Sequence, residues 1–104
     1  MNIFGLKEEE YQLLKSIFRI YEQVNKVLVY GSRAKGNFND RSDIDLVITE
    51  STIERQLIGQ IISEINNSNF PYLVDIQDFS TLKNNELIEH IKRVGKVFYE
   101  RGKG

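Results

Sequence analysis

Two aspartates one residue apart, Asp43 and Asp45, are the residues of this chain best suited to chemistry. Upstream, an apolar run Val27-Leu28-Val29-Tyr30 stops at Gly31-Ser32, and the aspartates lead into a second apolar run, Leu46-Val47-Ile48. Alternate residues of a strand point the same way, so Asp43 and Asp45 would share a face with Cα atoms ~6.5–7 Å apart, close enough for both carboxylates to reach one ion. Magnesium takes hard oxygen ligands, usually one or two carboxylates completed by water and phosphate. A Gly-Ser turn presents backbone N–H groups that form an anion-binding concavity, and Arg33 and Lys35 add positive charge beside it. The pairing suggests a nucleoside triphosphate held with its magnesium. Asp75, inside a later apolar stretch, would be expensive there as an unpaired buried carboxylate. As a third metal ligand it would complete a two-metal site for in-line displacement at phosphorus and could take the proton of an attacking hydroxyl.

The elements that must position these residues can be read from periodicity. Tyr11, Leu14, Ile17, Phe18, Tyr21 and Val24 recur at three-to-four spacing and predict an amphipathic helix over 7–24. Glu8, Glu9 and Glu10 in its first turn read as a solvated start favoured by the helix dipole. A buried strand is predicted over 26–30, then a short helical turn through Arg33, Ala34 and Lys35 capped by Ser32 and ended by Gly36. A polar loop over 37–42, shaped by Asp40 and Arg41 and holding one aromatic, Phe38, leads to a strand over 43–49. On that strand Ile44, Leu46 and Ile48 face one way, and Asp43, Asp45 and Val47 the other. A second helix should start near Ser51, with Glu54 at the capping-box position and Ile53, Leu57, Ile61, Ile62 and Ile65 inward. A third strand is read over 72–77, with Leu73, Asp75 and Gln77 on one face. A last helix is capped at Asn84 or Asn85 and turns Leu87, Ile88, Ile91 and Val94 inward. Val97-Phe98-Tyr99 reads either as its end or as a short extended tail, and 101–104 as frayed. The order α-β-turn-β-α-β-α predicts an α/β (α+β) domain, a small mixed sheet with helices packed on it. The link between the first two strands is too short for a crossover helix, so those strands should be antiparallel.

Composition narrows the function. With 104 residues, 28% charged and a net charge of −1, the chain reads as one domain over 1–104 with no strong basic excess, so direct binding of nucleic acid is not expected. No cysteine is present, which removes thiolate metal sites and cysteine nucleophiles. The acidic start is unlike a signal peptide and no apolar run reaches the ~18 residues of a membrane span, so a cytoplasmic location is expected. The one histidine, His90, reads as a surface residue on the flank of the last helix, and the five tyrosines as core or interface residues. Phe38 could cover a nucleotide or touch a partner.

Gly31-Ser32, ten residues, then Asp43-Ile44-Asp45, with Asp75 on a later strand, resembles the signature of the DNA-polymerase-β-like nucleotidyltransferases. The form Gly-Ser-Arg-Ala-Lys-Gly followed by Ser-Asp-Ile-Asp-Leu looks most like their minimal members, small prokaryotic proteins paired with a HEPN-domain protein. The resemblance covers the chain from about Lys26 to Asp78. It implies the nucleotidyltransferase fold, magnesium, and ATP as substrate. Asp43, Asp45 and Asp75 would be metal ligands and catalytic residues, and Gly31, Ser32, Arg33, Lys35 and Ser42 would contact the nucleotide. It further implies an antitoxin that transfers AMP to a tyrosine hydroxyl of a HEPN toxin, alone or as part of a homo- or hetero-oligomer. Lys35 stands where many members carry Arg, which keeps the charge but loses the bidentate fork. Two other readings compete: transfer to a small hydroxylated molecule such as an antibiotic, and a nucleotide-binding partner subunit that acts by contact alone.

Overall fold

The computed structural model describes residues 3–39, 41–50 and 53–102. Four strands form one mixed sheet in the order β3-β2-β1-β4. The chain runs α1 (Glu8–Ile20), β1 (Lys26–Tyr30), α2 (Gly31–Lys35), β2 (Ile44–Thr49), α3 (Arg55–Asn66), β3 (Val74–Asp78), a 3₁₀ turn (Phe79–Thr81), α4 (Asn85–Val94) and β4 (Lys96–Glu100). β1 pairs antiparallel with β2, from Lys26 opposite Thr49 to Tyr30 opposite Asp45. β2 and β3 are parallel, which needs a crossover, and α3 supplies it. The mixed sheet and the antiparallel β1–β2 pair agree with the expectation from loop length.

Strand alternation gives the sheet two faces. Val27, Val29, Ile44, Leu46, Ile48 and Ile76 pack against Leu14, Ile17 and Phe18 of α1 and Ile61 and Ile65 of α3 in the main core. Burial of each such side chain is worth ~1.5–3 kcal/mol, so this face supplies most of the stabilisation. The opposite face carries a smaller cluster, Tyr30, Val47 and Ile91, edged by Leu28, Leu87 and Val94. α4 covers only part of this second face, which leaves its β3 side open.

Several boundaries differ from the periodicity: α2 begins at Gly31, so Ser32 lies inside it and does not cap it, and β3 runs Val74–Asp78 where 72–77 was expected. α1 ends at Ile20, and Val24 is buried from the loop beyond it. The cause is Arg101: its Nε donates to Val24 O (3.0 Å) and its Nη2 to Tyr21 O (2.6 Å). That guanidinium satisfies carbonyls the helix end leaves open. Arg101 is therefore an anchor, not part of a frayed tail. α3 starts at Arg55, and its first residue is preceded by Glu54 with no side-chain cap; Ile53 is still buried ahead of the helix, and Ser51 lies outside the described residues, as does Asp40. Finally, 96–100 is a true strand, hydrogen-bonded antiparallel to β1. Gly95 turns extended (φ −63, ψ 140) after its N–H closes on Ile91 O at 2.7 Å. Phe98 then enters the core edge-on to Tyr11 (5.0 Å) and Phe18 (6.3 Å). Asn84 caps α4 as read, its side chain accepting from the amides of Glu86 and Leu87 at 2.9 and 3.2 Å.

Candidate active site

The sheet register builds the site. Asp45 lies opposite Tyr30 of β1 on one side and opposite Asp75 of β3 on the other. The three side chains stand in one row across three strands, on the face α4 half covers, at the ~4.8 Å spacing of neighbouring strands. Asp43 precedes β2 and is exposed, with the same parity as Asp45. Gly31 ends β1 with φ +75, and a Cβ there would sit 2.5 Å from Asp45 Oδ2. The turn into α2 therefore runs directly against the central carboxylate, and only a residue without a side chain permits it. Gly31→Ala should displace Asp45 and cost ~1–2 kcal/mol of backbone strain, measurable as a lower melting temperature together with lost nucleotide binding.

The electrostatics are those of an uncompensated anionic site. Burial raises the Asp45 pKa, and the charges of Asp75 and Asp43 raise it further, while His90 lowers it. The Tyr30 hydroxyl is pushed well above its ordinary value, first by burial and then by Asp75 and Asp45. Among the described residues the ion pairs are those of Lys26 with Glu50 and Glu100, at the other end of the strands; none reaches the three aspartates. Among the described residues, Asp75 accepts from Gln77 Nε2 at 3.1 Å.

Such a donor set fits magnesium. It is all hard oxygen, its members repel one another, and one of them is held half-buried with a raised pKa that a bound cation would relieve. Among the described residues no three carboxylate or imidazole groups close around a single point on their own. The described residues therefore do not present the three aspartates as one closed ligand set; magnesium held by one or two carboxylates would take its other ligands from water and substrate phosphate.

The structure places the other sequence-read residues differently. Asp75 is exposed on the edge strand, so its presence needs no payment for burial and that part of the expectation is corrected. Its register beside Asp45 is what brings it to the site. Arg33, expected to meet phosphate, is 2% exposed. Its Nη1 donates to Phe4 O (2.9 Å), and its Nε and Nη2 both donate to Ser42 O (3.1 and 2.8 Å). It lies over the rings of Tyr72 (4.6 Å) and Phe38 (5.2 Å). Arg33 thus fastens the 37–42 loop and the N-terminal turn, and Phe38 covers Arg33. Ser42 belongs to the same fastening, its Oγ accepting the Asn39 amide at 3.0 Å. Lys35 is exposed and lines a groove of about 410 Å³ with Phe4, Phe38 and Lys96, whose walls include none of the three aspartates. Ser32 stays at the start of α2, half-buried next to Gly31.

His90, read from the sequence as a surface residue on the flank of the last helix, lies close to this row. His90 is half-buried on α4, its ring edge-on to Tyr30 with centroids 6.2 Å apart. His90 stands three residues after Leu87 and one before Ile91, on the flank of the inward stripe, which accounts for its half-burial.

Comparison with known proteins bears on the family and the fold. A protein of Haemophilus influenzae named "Probable protein adenylyltransferase MntA" is 29% identical over 99 residues, covering 94% of this chain and 86% of its own. A crystal structure of a toxin-antitoxin with AMP-PNP superposes with a TM-score of 0.68 at 18% identity, over 94% of this chain and 77% of that one. A crystal structure of the toxin-antitoxin MntA-HepT gives 0.64 at 14% identity, over 90% of this chain and 73% of that one. Likenesses at that identity speak for the fold, a four-stranded mixed sheet carrying helices as in solved nucleotidyltransferases. Residues 12–104 match the model of the family described as "Polymerase beta, Nucleotidyltransferase", and with the Gly31 turn seated against Asp45, the neighbour of Asp75 in the sheet, the chain belongs to that family.

Proposed function

We propose that this protein transfers AMP from ATP to a hydroxyl, of the tyrosine type, on a partner HEPN toxin, and so acts as its antitoxin. The observation that carries the reading is the row Tyr30–Asp45–Asp75 meeting Gly31 at the start of α2. A phosphate at that turn would lie against the carboxylates. Asp43 and Asp45 would hold magnesium, with Asp75 completing the set, and the bound ion would offset the charge that develops on the phosphate oxygens. Asp75 has the exposure an incoming hydroxyl needs. It accepts the acceptor's proton while the hydroxyl oxygen forms its bond to the α-phosphorus. The bond from that phosphorus to the bridging oxygen of the β-phosphate breaks, and pyrophosphate leaves with the electron pair. The half-open face above β3 leaves room for an acceptor carried by another protein. The relative named as an adenylyltransferase and the toxin-antitoxin structures of like fold support this acceptor class. No helix of the described residues is long and apolar enough to cross a membrane, which fits a cytoplasmic partner.

The test is direct. Incubation with magnesium, ATP labelled in the α-phosphate and the HEPN-type partner should transfer label to that partner, and replacement of the modified tyrosine by Phe should remove it. Label passing instead to an aminoglycoside without any protein partner would move the protein to the antibiotic-modifying class and defeat the antitoxin reading.

A further inference from the structure

We propose that His90 is a nucleotide-contacting residue of this site, its imidazole donating an N–H to a phosphate oxygen of the bound triphosphate. This deepens the nucleotidyl-transfer reading and rests on it. Position is the first argument. α4 lays Leu87, Ile91 and Val94 on the sheet's second face, and His90 occupies the same stripe one turn beyond Leu87. Its ring meets the ring of Tyr30 at 80°, and Tyr30 is the register partner of Asp45. α4 also packs on α2, the helix that begins at Gly31 and Ser32.

The second argument is supply and demand of donors. A triphosphate brought beside three carboxylates needs N–H and cationic partners beyond the metal. The side chains the sequence offered for that work are occupied or elsewhere: the Arg33 donors are used on Phe4 and Ser42, and Lys35 lines a different groove. His90 has a ring contact with Tyr30, but its nitrogens appear in none of the hydrogen bonds or ion pairs described above. Imidazole carries an N–H donor in its neutral form as well as its charged form, so the contact does not depend on its titration.

His90 is the only histidine of the 104 residues, so its Cε1–H resonance is unambiguous in the full chain. Titration with magnesium and a non-hydrolysable ATP analogue should shift that resonance saturably, in step with the Gly31 and Ser32 amides, and adenosine alone should leave it in place. His90→Ala should weaken binding of the analogue about tenfold, the size of one hydrogen bond to a charged group, and His90→Asn, which keeps an N–H, should recover part of the loss. Both variants should melt within about 2 °C of the wild type, since His90 is half-exposed and small surface changes cost little. Shifts at Gly31 and Ser32 with a stationary His90 signal, or unchanged affinity in His90→Ala, would overturn the assignment. Absence of any shift with the analogue would instead defeat the nucleotidyl-transfer reading beneath it.

Discussion

Asp45→Asn is expected to lower AMP transfer by ~10³-fold or more, because several kcal/mol of metal-borne stabilisation disappear and each ~1.4 kcal/mol is a factor of ten. The same substitution should make the metal-free protein more stable at neutral pH. Asp45 is the carboxylate whose pKa the fold raises, through burial and the charges of Asp75 and Asp43. A group with a raised folded-state pKa favours folding while it is protonated, and that contribution is lost as pH climbs through the folded value. At neutral pH the ionised Asp45 therefore works against the fold, and Asn, of nearly the same shape, does not. Melting curves in chelator should show Asp45→Asn above the wild type at pH 7. The gap should close as pH falls through the raised Asp45 value, where the wild-type carboxyl is itself neutral. The double variant with Asp43→Asn adds a functional division. If it still fully neutralises the toxin, protection comes from contact and not from catalysis; loss of both labelling and protection would place catalysis at the centre.

Arg33→Ala should destabilise the protein by ~3 kcal/mol or more. The guanidinium is 2% exposed and serves two carbonyls, those of Phe4 and Ser42, at 2.8 to 3.1 Å. Leaving a buried acceptor unpaired costs ~1–3 kcal/mol, and the Tyr72 and Phe38 rings lose the cation that lies over them, worth another ~0.5–2 kcal/mol. Arg33→Lys keeps the charge, yet its single ammonium cannot reproduce a fork that reaches both Phe4 O and Ser42 O, so most of the loss should remain. Urea denaturation reads the effect as a lower midpoint. If Arg33 served phosphate instead, the alanine variant would unfold at the wild-type urea concentration and bind nucleotide more weakly. The structure predicts the opposite order: a large loss of stability, with any loss of nucleotide affinity following from a loosened 37–42 loop.

Much of the molecule is legible in the chain itself, for local reasons. β1 and β2 carry apolar runs bounded by Gly31 and by the polar 37–42 loop, and β3 after Pro71 alternates apolar and polar residues, so their existence and parity follow from composition and alternation. Parity in turn put Asp43, Asp45 and Val47 on one face and Ile44, Leu46 and Ile48 on the other, as the two cores show. Caps inside the chain were readable where a side chain can reach its own amides, as Asn84 does. Helix ends set by distant residues were not: α1 stops where Arg101, some eighty positions later, takes its carbonyls. β4 was ambiguous for the same reason, because five residues ending in a Gly-rich tail become a strand only when β1 offers its edge.

The Gly31–Asp45 stretch divides in the same way. Residue types and spacing determined the hard-oxygen donor set, the parity of Asp43 and Asp45 and the break at Gly31-Ser32, since these depend on chemistry and on strand geometry within a few residues. Only the tertiary structure decided where the positive side chains near it point. Arg33 and Lys35 lie close to Gly31 in the chain, yet a side chain's direction depends on what surrounds it. The carbonyls of Phe4 and Ser42 draw Arg33 inward, and the turn of α2 carries Lys35 to another groove. His90, half a chain away from Asp45, is brought edge-on to the Tyr30 ring because α4 buries Leu87 and Ile91 against Tyr30 and Val47.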